Sequence, residues 1–400
     1  MTGERQRLLV VAYSCAPGRG SEPGAGWGLV HALAEFADVV ALVGSEGMAA
    51  IRKHEDETAG LEFVEVADTP LGRRLRGRRL GNFVAYLAWQ RRARHAATEL
   101  LRDRPFDAAV HATYSALWLP SLAVDLGLPT VWGPVGGGVT TPRPLWRLLG
   151  MRGMIGEVVD ALAVRVAALW PGTRRTWRGA TVRLVQNRES LRLLPRDLGS
   201  SAVLLNHALF HQAPPVAPSA ARGDYVLWAS MQEARKGPEL AIRGLESADP
   251  AVKMIMLGDG PERSRMELLA QKLGVSDRVD FAGKVPREEA LRLMVGARAV
   301  VFTGLREEGG LALAEAMLLG CPVVVLDHGG AGLIARSTVD WERVALVDVG
   351  TVAQTVTRFG SALTQSWFPD SNVRTPLLDR ATAIAQLRSA VTAAVAGPTK

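Results

Sequence analysis

A chain of 400 residues is too long for one ordinary hydrophobic core, so two domains are the starting expectation. Hydrophobic residues at 48% and charged residues at 22% are globular proportions, which sets aside disordered and fibrous classes. The formal net charge of +7 favours anionic partners, but the aromatic residues are scattered and form no base-stacking platform, which argues against nucleic acid.

Leu8–Tyr13 (LLVVAY) reads as a buried parallel strand. It is too short for the apolar core of a secretory signal. Cys15 and Cys321 both abut apolar strands and read as small core residues in a reducing cytoplasm. Cys15–Gly28 holds five glycines and two prolines, and a helix is expected from about Trp27 through Ala34. Strand, glycine loop and helix together make a cradle for phosphate or substrate, which singles out Gly20, Glu22, Gly24 and Gly26. The spacing is neither a dinucleotide fingerprint nor a Walker loop, and a flexible turn explains it equally well. Trp27 is expected to pack on the sheet.

Val39–Val43 and Leu61–Val66 read as further strands. Between Pro70 and Arg94 the chain is strongly basic, with Arg73, Arg74, Arg76, Arg78, Arg79, Arg91, Arg92 and Arg94 around an apolar FVAYLAW. A basic amphipathic helix of this kind suits an anionic membrane surface. A solvated helix with snorkelling arginines is the alternative. Phe106–Ala112 is a strand that sets His111 at its C-terminal end, where open α/β sheets bind ligands. Pro129–Trp132 is another strand. It runs into GPVGGG, where Gly136 and Gly137 suit close approach to a ligand. Ala161–Trp170 is the nearest thing to a membrane span, and Arg165 interrupts it. Arg183–Gln186 and Val203–Leu205 close the first half, and a proline-rich stretch places a linker at about 205–222.

The second half starts afresh with a strand at Tyr225–Ala229. The loop Ser230–Gly237 (SMQEARKG) follows, then a helix at Pro238–Leu245 whose proline sits at the first position. Arg235 and Lys236 thus stand where a strand ends and a helix begins, a place suited to a diphosphate; a solvated charge pair is the plainer reading. Lys253–Leu257 is a strand ending at Gly258, Val279–Ala282 one ending near Lys284 and Val285, and Ala299–Thr303 leads to the densest stretch. There, Arg306–Gly330 (REEGGLALAEAMLLGCPVVVLDHGG) reads as loop, helix, turn, buried strand and second glycine loop. Gly309 and Gly310 free the backbone for close approach. Leu311–Leu319 is helical, Gly320 and Pro322 stop it, and Pro322–Leu326 is a buried strand. A glycine loop at a helix start offers N–H groups and the positive end of the dipole to phosphate. Glu315, one turn inside, cannot hold phosphate but accepts from sugar hydroxyls. Two glutamates flanking a phosphate cradle suggest a nucleotide-sugar. Ordinary solvated glutamates on a surface helix are the plain alternative.

This stretch resembles the E-x7-E signature of retaining glycosyltransferases of the GT-B fold, the group 1 family with its glycogen-synthase-like and mannosyltransferase-like members. The pair here is Glu307 and Glu315, with Glu308 where the family usually has glycine. The resemblance implies an α/β protein with two Rossmann-like domains facing a central cleft. An acceptor domain would span 1–205, with a C-terminal helix of about 367–396 packing back on it, and a nucleotide-sugar domain would span 206–366. It implies that Glu307 contacts the donor sugar and Glu315 the ribose. The N–H groups of Gly310 and Leu311 would lie near the diphosphate, and the backbone of Lys284 and Val285 beside the base. Gly258 and Gly309 join the donor set. His111 would face the donor sugar, and the glycine loop at 20–26 would face the cleft. GPVGGG is similar to a loop in enzymes that build cell-surface polysaccharides. The family's usual Gly-Arg before Arg235-Lys236-Gly237 is Ala229-Ser230 here, so one diphosphate-binding arginine is missing; Arg306 and Arg19 are candidates to replace it.

The expected function is retaining glycosyl transfer from a UDP- or GDP-sugar to a hydroxyl of a glycan, lipid-linked or small-molecule acceptor, with His111, Glu307 and Lys236 as the catalytic group. Polysaccharide or antibiotic biosynthesis is the expected setting. No Asp-x-Asp pair occurs, so neither metal nor cofactor is expected, and Lys236 and Arg235 would neutralise the leaving diphosphate. A cytoplasmic location is expected, with peripheral membrane contact through Arg73–Arg94. Two rivals stand: a degenerate relative that binds nucleotide-sugar without turnover, and a sugar-nucleotide epimerase.

Overall fold

The computed structural model describes residues 5–54, 60–75, 77, 79–212, 223–365 and 376–397. Arg76, Arg78 and residues 213–222 of the expected linker lie outside the described residues. The chain divides into two compact units. One comprises Met1–Gly138, Ala163–His211 and Arg380–Lys400; the other comprises Val139–Leu162 and Gln212–Asp379.

The first unit is built on β1 (Gln6–Ala12), β2 (Ala37–Gly44), β3 (Leu61–Val66), β4 (Ala108–Thr113), β5 (Thr130–Val135), β6 (Val182–Val185) and β7 (Val203–Leu204). Among the described residues these make a parallel sheet of order β3-β2-β1-β4-β5-β6-β7. Its first strand shows why an unbroken apolar run is needed. Leu8, Val10 and Ala12 enter one core while Leu9 and Val11 enter another on the opposite face. The terminal helix Arg380–Ala396 fills the first of these cores with Leu387, Val391 and Ala394. The helix Arg79–Asp103 fills the second with Tyr86, Trp89, Ala93 and Ala97, at the three- and four-residue spacing of one helix face. The apolar side of this basic segment therefore belongs to the core. Arg91, Arg92 and Arg94 lie near or outside it; Arg92 donates to the Ala67 carbonyl and Arg94 approaches Asp125.

The second unit carries β8 (Val226–Ala229), β9 (Met254–Leu257), β10 (Val279–Gly283), β11 (Ala299–Phe302), β12 (Val323–Leu326) and β13 (Val344–Val347). They form a parallel sheet of order β10-β9-β8-β11-β12-β13. Val226, Trp228, Met254, Met256, Val324 and Leu326 meet Leu240, Ile242 and Phe359 in its core. Both units are Rossmann-like, with helices alternating along a parallel sheet.

Two sequence expectations need correction. The first helix starts at Ser21, not near Trp27. Its glycines are packing positions: a Cβ on Gly24 or Gly26 would run into the backbone carbonyls of Arg19 and Ser14, and one on Gly28 would press against that of Phe210 at 3.2 Å. A helical glycine costs about 1 kcal/mol against alanine, less than those clashes. Trp27 packs in the first core and stacks on Phe63, as expected. The second correction concerns residues 139–162, expected in the first domain. They belong to the second unit, where Leu145, Leu148 and Leu149 join its core and Asp160 pairs with Arg306 at 2.8 Å. The same correction applies to Asn206–His211, expected in the second domain: it belongs to the first unit, where Phe210 is fully buried. Contacts between residues far apart in sequence decide both cases.

Candidate functional site

The densest cluster lies in the second unit, at the C-terminal ends of neighbouring strands β8 and β11. The N–H groups of Leu305 and Arg306 donate to the Arg235 carbonyl at 2.9 and 3.1 Å, which ties the loop after β11 to the loop after β8. Thr303 reinforces this: its hydroxyl accepts from Trp228 Nε1 at 2.8 Å and donates to the Gly237 carbonyl at 2.9 Å. Gly237 has φ +67° and lies so close to the Thr303 carbonyl that no Cβ fits. This backbone brings Lys236 Nζ onto Glu307 Oε2, with the two side chains only 19% and 21% exposed. Glu307 Oε1 accepts from the Gly310 N–H at 3.3 Å. Gly310, at φ +58°, opens the helix Leu311–Leu318.

Burial pulls the Glu307 carboxyl upward. The charge and hydrogen bond of Lys236, the charge of Arg235 and the Gly310 N–H outweigh it, and the net shift is downward. Glu307 is thus a carboxylate locked between a cation and a helix start. Glu308 faces elsewhere and accepts from the Val139 N–H at 2.9 Å. Arg235 pairs with Glu233 at 2.7 Å. Gly309 is buried beside Gly310 and Leu311 is half-buried.

Glu315 lies one turn along, largely buried, and its Oε1 accepts from Arg287 Nη2. Sequence reasoning missed Arg287. The one hint was its place in the first turn of the helix Arg287–Gly296, where a cation opposes the helix dipole. Lys284 is exposed and Val285 half-buried. Gly258, at φ +93°, is glycine because the Ser230 carbonyl occupies the space of a Cβ. Gln232 was also missed. It is fully buried, its amide donates to the Gly258 carbonyl at 3.1 Å, and its Oε1 has no partner among the described residues. The two candidates for the missing arginine are both engaged, Arg306 with Asp160 and Glu157, and Arg19 with Glu46.

In the first unit, Glu22 accepts from both the N–H and the hydroxyl of Ser115, which joins the first helix to the loop after β4. Burial raises its pKa against those hydrogen bonds. Gly20 precedes the helix, with open space around it. Gly136 exchanges backbone hydrogen bonds with Ser115 and Leu117, and a Cβ on Gly137 would overlap the Trp118 ring, so this loop closes on the protein itself. His111 is fully buried in β4. Its Nε2–H donates to the Tyr114 carbonyl at 2.9 Å, while Nδ1 has no partner among the described residues. Burial lowers its pKa to about 4, so it is a neutral imidazole at physiological pH. A cavity of about 250 Å³ opens nearby, lined by Tyr13, Ser14, Cys15, Arg19, Glu46 and Asn82 among others.

Residues 217–369 match the sequence model of the family Glycosyl transferases group 1. The 2-deoxystreptamine glucosyltransferase of Streptomyces kanamyceticus is 33% identical over 22% of this chain and 23% of its own length. The D-inositol 3-phosphate glycosyltransferase of a Mycobacterium species (strain KMS) is 32% identical over 30% of this chain and 28% of its own. The chain therefore spans about a quarter of the length of these curated relatives. Among solved structures, Anabaena HepE in complex with UDP and glucose superposes with a TM-score of 0.60 at 18% identity, covering 97% of this chain and 100% of that one. At that identity the likeness speaks for the fold. The two parallel-sheet halves match the GT-B fold, and residues 217–369 are similar in sequence to the group 1 family.

Proposed function

We propose that this chain transfers a glycosyl group from a nucleoside-diphosphate sugar to a hydroxyl acceptor, with retention at the anomeric carbon and without a metal. The observation that carries this is the carboxylate of Glu307, pinned by Lys236 and the Gly310 N–H at a helix start, with Glu315 one turn on. Phosphate and sugar adjoin in such a donor, as cation and carboxylate adjoin here. In the step proposed, the acceptor hydroxyl attacks the anomeric carbon on the face the diphosphate leaves. The carbon–oxygen bond to the diphosphate breaks, and the acceptor proton passes to the departing phosphate oxygen. Lys236, Arg235 and the start of the helix Leu311–Leu318 stabilise the charge that develops there. Glu307 and Glu315 accept from sugar and ribose hydroxyls. Lys284 and Val285 border the base, and Gly258 and Gly309 shape the donor loops. Neutral His111 serves as a hydrogen-bonding group, not a proton carrier, since a base of pKa about 4 is weak at neutral pH.

The first unit is assigned the acceptor. Its cavity of about 250 Å³ falls just under the ~300–1,000 Å³ usual for ligand sites, which favours a compact acceptor. The two curated relatives are named for cyclitols, and a cyclitol or other polyol is such an acceptor. The test is a thermal-shift screen of UDP- and GDP-sugars, followed by acceptor trials with chelator present. The product's anomeric configuration is then read by NMR. An inverted product ends the retaining reading, and activity restored only by a divalent cation ends metal independence. A second reading rests on Ala229 and Ser230 standing where the family has Gly-Arg: a protein that holds donor without turnover. Tight donor binding with no transfer to any acceptor and no slow hydrolysis would favour it.

A further inference from the structure

Within the second unit, both chain neighbours of Glu307 are held by one stretch, Val139–Leu162. Glu308 Oε1 accepts from the N–H of buried Val139 at 2.9 Å. Arg306 reaches the same stretch further along, with Nη2 at 2.8 Å from Asp160 and Nη1 at 3.4 Å from Glu157. Glu157 closes the stretch on itself: its two oxygens accept from the Thr141 N–H at 2.7 Å and the Thr141 hydroxyl at 3.2 Å. The glycine loop after β12 is tied to both sides. His328 Nε2–H donates to the Thr140 carbonyl, and the Gly330 N–H to the Glu307 carbonyl, each at 2.8 Å. A Cβ on Gly329 would meet that same carbonyl and the Val139 side chain, so glycine lets the three segments close up. Leu145, Leu148 and Leu149 root the stretch in the core of the unit.

Glu307 has to meet Lys236 and the Gly310 N–H at once. A loop free on either side of it would lose that aim by turning about its own backbone, and a group that acts on a reacting sugar has to be held within about 0.5 Å of its working place. We propose that Glu308 and Arg306 are positioning residues, which clamp the loop to Val139–Leu162 and so aim Glu307 at the donor sugar. The inference rests on the donor role given to Glu307 above. Glu308 stands where the family usually has glycine, and glycine has no side chain with which to make this bond. A carboxylate accepting from a backbone N–H makes a charge-assisted bond, stronger than a neutral one. Arg306 answers it from the other side, with its guanidinium on two carboxylates of a stretch already packed into the core. The clamp therefore grips the residue before Glu307 and the residue after it, and leaves the carboxylate between them to Lys236.

Glu308→Ala in the full chain tests the clamp, because Glu308 is only half-buried and its loss leaves no charge buried alone. The kcat for transfer should fall about ten- to a hundredfold, the effect of a small misplacement at the reacting centre. Affinity for UDP or GDP, whichever nucleotide the donor screen selects, should change less than about threefold, since neither carries the sugar that Glu307 grips. Glu308→Gln keeps an oxygen for the Val139 N–H and should recover most of the lost kcat. Hydrogen exchange of the unliganded chain is a readout independent of turnover. The amides of Val139 and of residues 305–310 should exchange faster in Glu308→Ala, while those of β11 and β12 stay as they were. Unchanged kcat, a glutamine variant as slow as the alanine one, or unchanged exchange at Val139 each overturns the clamp. So does a loss of nucleotide affinity as large as the loss of kcat together with a lower melting temperature, which is the mark of general structural support. Lys236→Ala separates this inference from its premise. Normal turnover in that variant ends the donor reading, whereas a slow Lys236→Ala beside a normal Glu308→Ala ends the clamp alone.

Discussion

Two turns from strand to helix look alike in the sequence and differ in the molecule. In the first unit, β1 leads through a glycine loop to a helix starting at Ser21. In the second, β11 leads through Gly309 and Gly310 to a helix starting at Leu311. In the first turn the protein fills the space itself: carbonyls of Arg19 and Ser14 lie where side chains on Gly24 and Gly26 would go, and Glu22 is satisfied by Ser115. In the second, Gly310 turns left-handed, its nearest neighbour for a Cβ is the movable tip of Ile334 at 2.9 Å, and Glu307 is held by a cation. Glycine content alone does not separate a backbone packed on itself from one open to a ligand. The partner of the nearby carboxylate does.

The contrast breaks first at Lys236. Lys236→Ala should lower kcat for transfer on the order of a hundredfold to a thousandfold, the effect of removing a group aimed at developing charge. The far-UV spectrum should be unchanged. Normal turnover of the donor by this variant would leave Glu307 in an ordinary surface ion pair.

Next in size is a stability effect confined to the first unit. Burial holds His111 at about 4, below the 6.5 of an exposed imidazole. Between those pH values the unfolded chain binds more protons, so stability is full above about 6.5 and falls as pH drops toward 4. The fall is at most roughly 3 kcal/mol at 1.36 kcal/mol per pH unit. Urea midpoints at pH 7 and pH 4.5 should show it, and His111→Gln should flatten it. An unchanged slope in that variant would mean that the histidine titrates normally.

Most of the strands were legible because parallel strands buried on both faces are short apolar runs between turn signals. Val323–Leu326 and Ala108–Thr113 are examples. Val344–Val347 was not read. The early start of the first helix was hidden because Gly24, Gly26 and Gly28 imitate breakers, and only the facing carbonyls reveal their use. Of the helix Gly150–Ala168 only the end was read, within Ala161–Trp170 as a failed membrane span, since an outward apolar face cannot be told from an inward one without coordinates. Glu307 and Lys236 were each legible from local pattern. The meeting of Lys236 with Glu307 depends on β8 and β11 being adjacent in space and not in sequence, and that of Arg287 with Glu315 joins segments after β10 and β11, which are not neighbours in the sheet. The allegiance of residues 139–162 was hidden for the same reason.

A paired glycine test sharpens the contrast further. Gly26→Ala drives a Cβ into the backbone carbonyl of Ser14, which cannot step aside. It should cost about 1–3 kcal/mol of stability and leave donor affinity alone. Gly310→Ala places a side chain in the left-handed region at a cost of about 1–2 kcal/mol. Because the Gly310 N–H reaches Glu307, donor KM should rise as well. Denaturation and donor titration of both variants separate the two roles. Equal loss of donor affinity in both would erase the distinction between the turns.

The smallest effect expected is at Arg287. Its guanidinium holds Oε1 of Glu315, a carboxylate otherwise nearly enclosed, and so fixes the direction in which the other oxygen points. In the reaction proposed, a ribose hydroxyl bound there would be gripped as firmly in the ground state as in the transition state, because the bond being broken would lie beyond the diphosphate. Such uniform binding governs KM and leaves kcat in place. Arg287→Ala should therefore raise donor KM about three- to tenfold with little change in kcat, the reverse of the pattern at Lys236. Saturation curves for the two variants, measured with the same donor, would divide the second turn into a side that holds and a side that reacts. A fall in kcat at Arg287 matching that at Lys236 would place both cations on the leaving group and leave Glu315 without its assigned part.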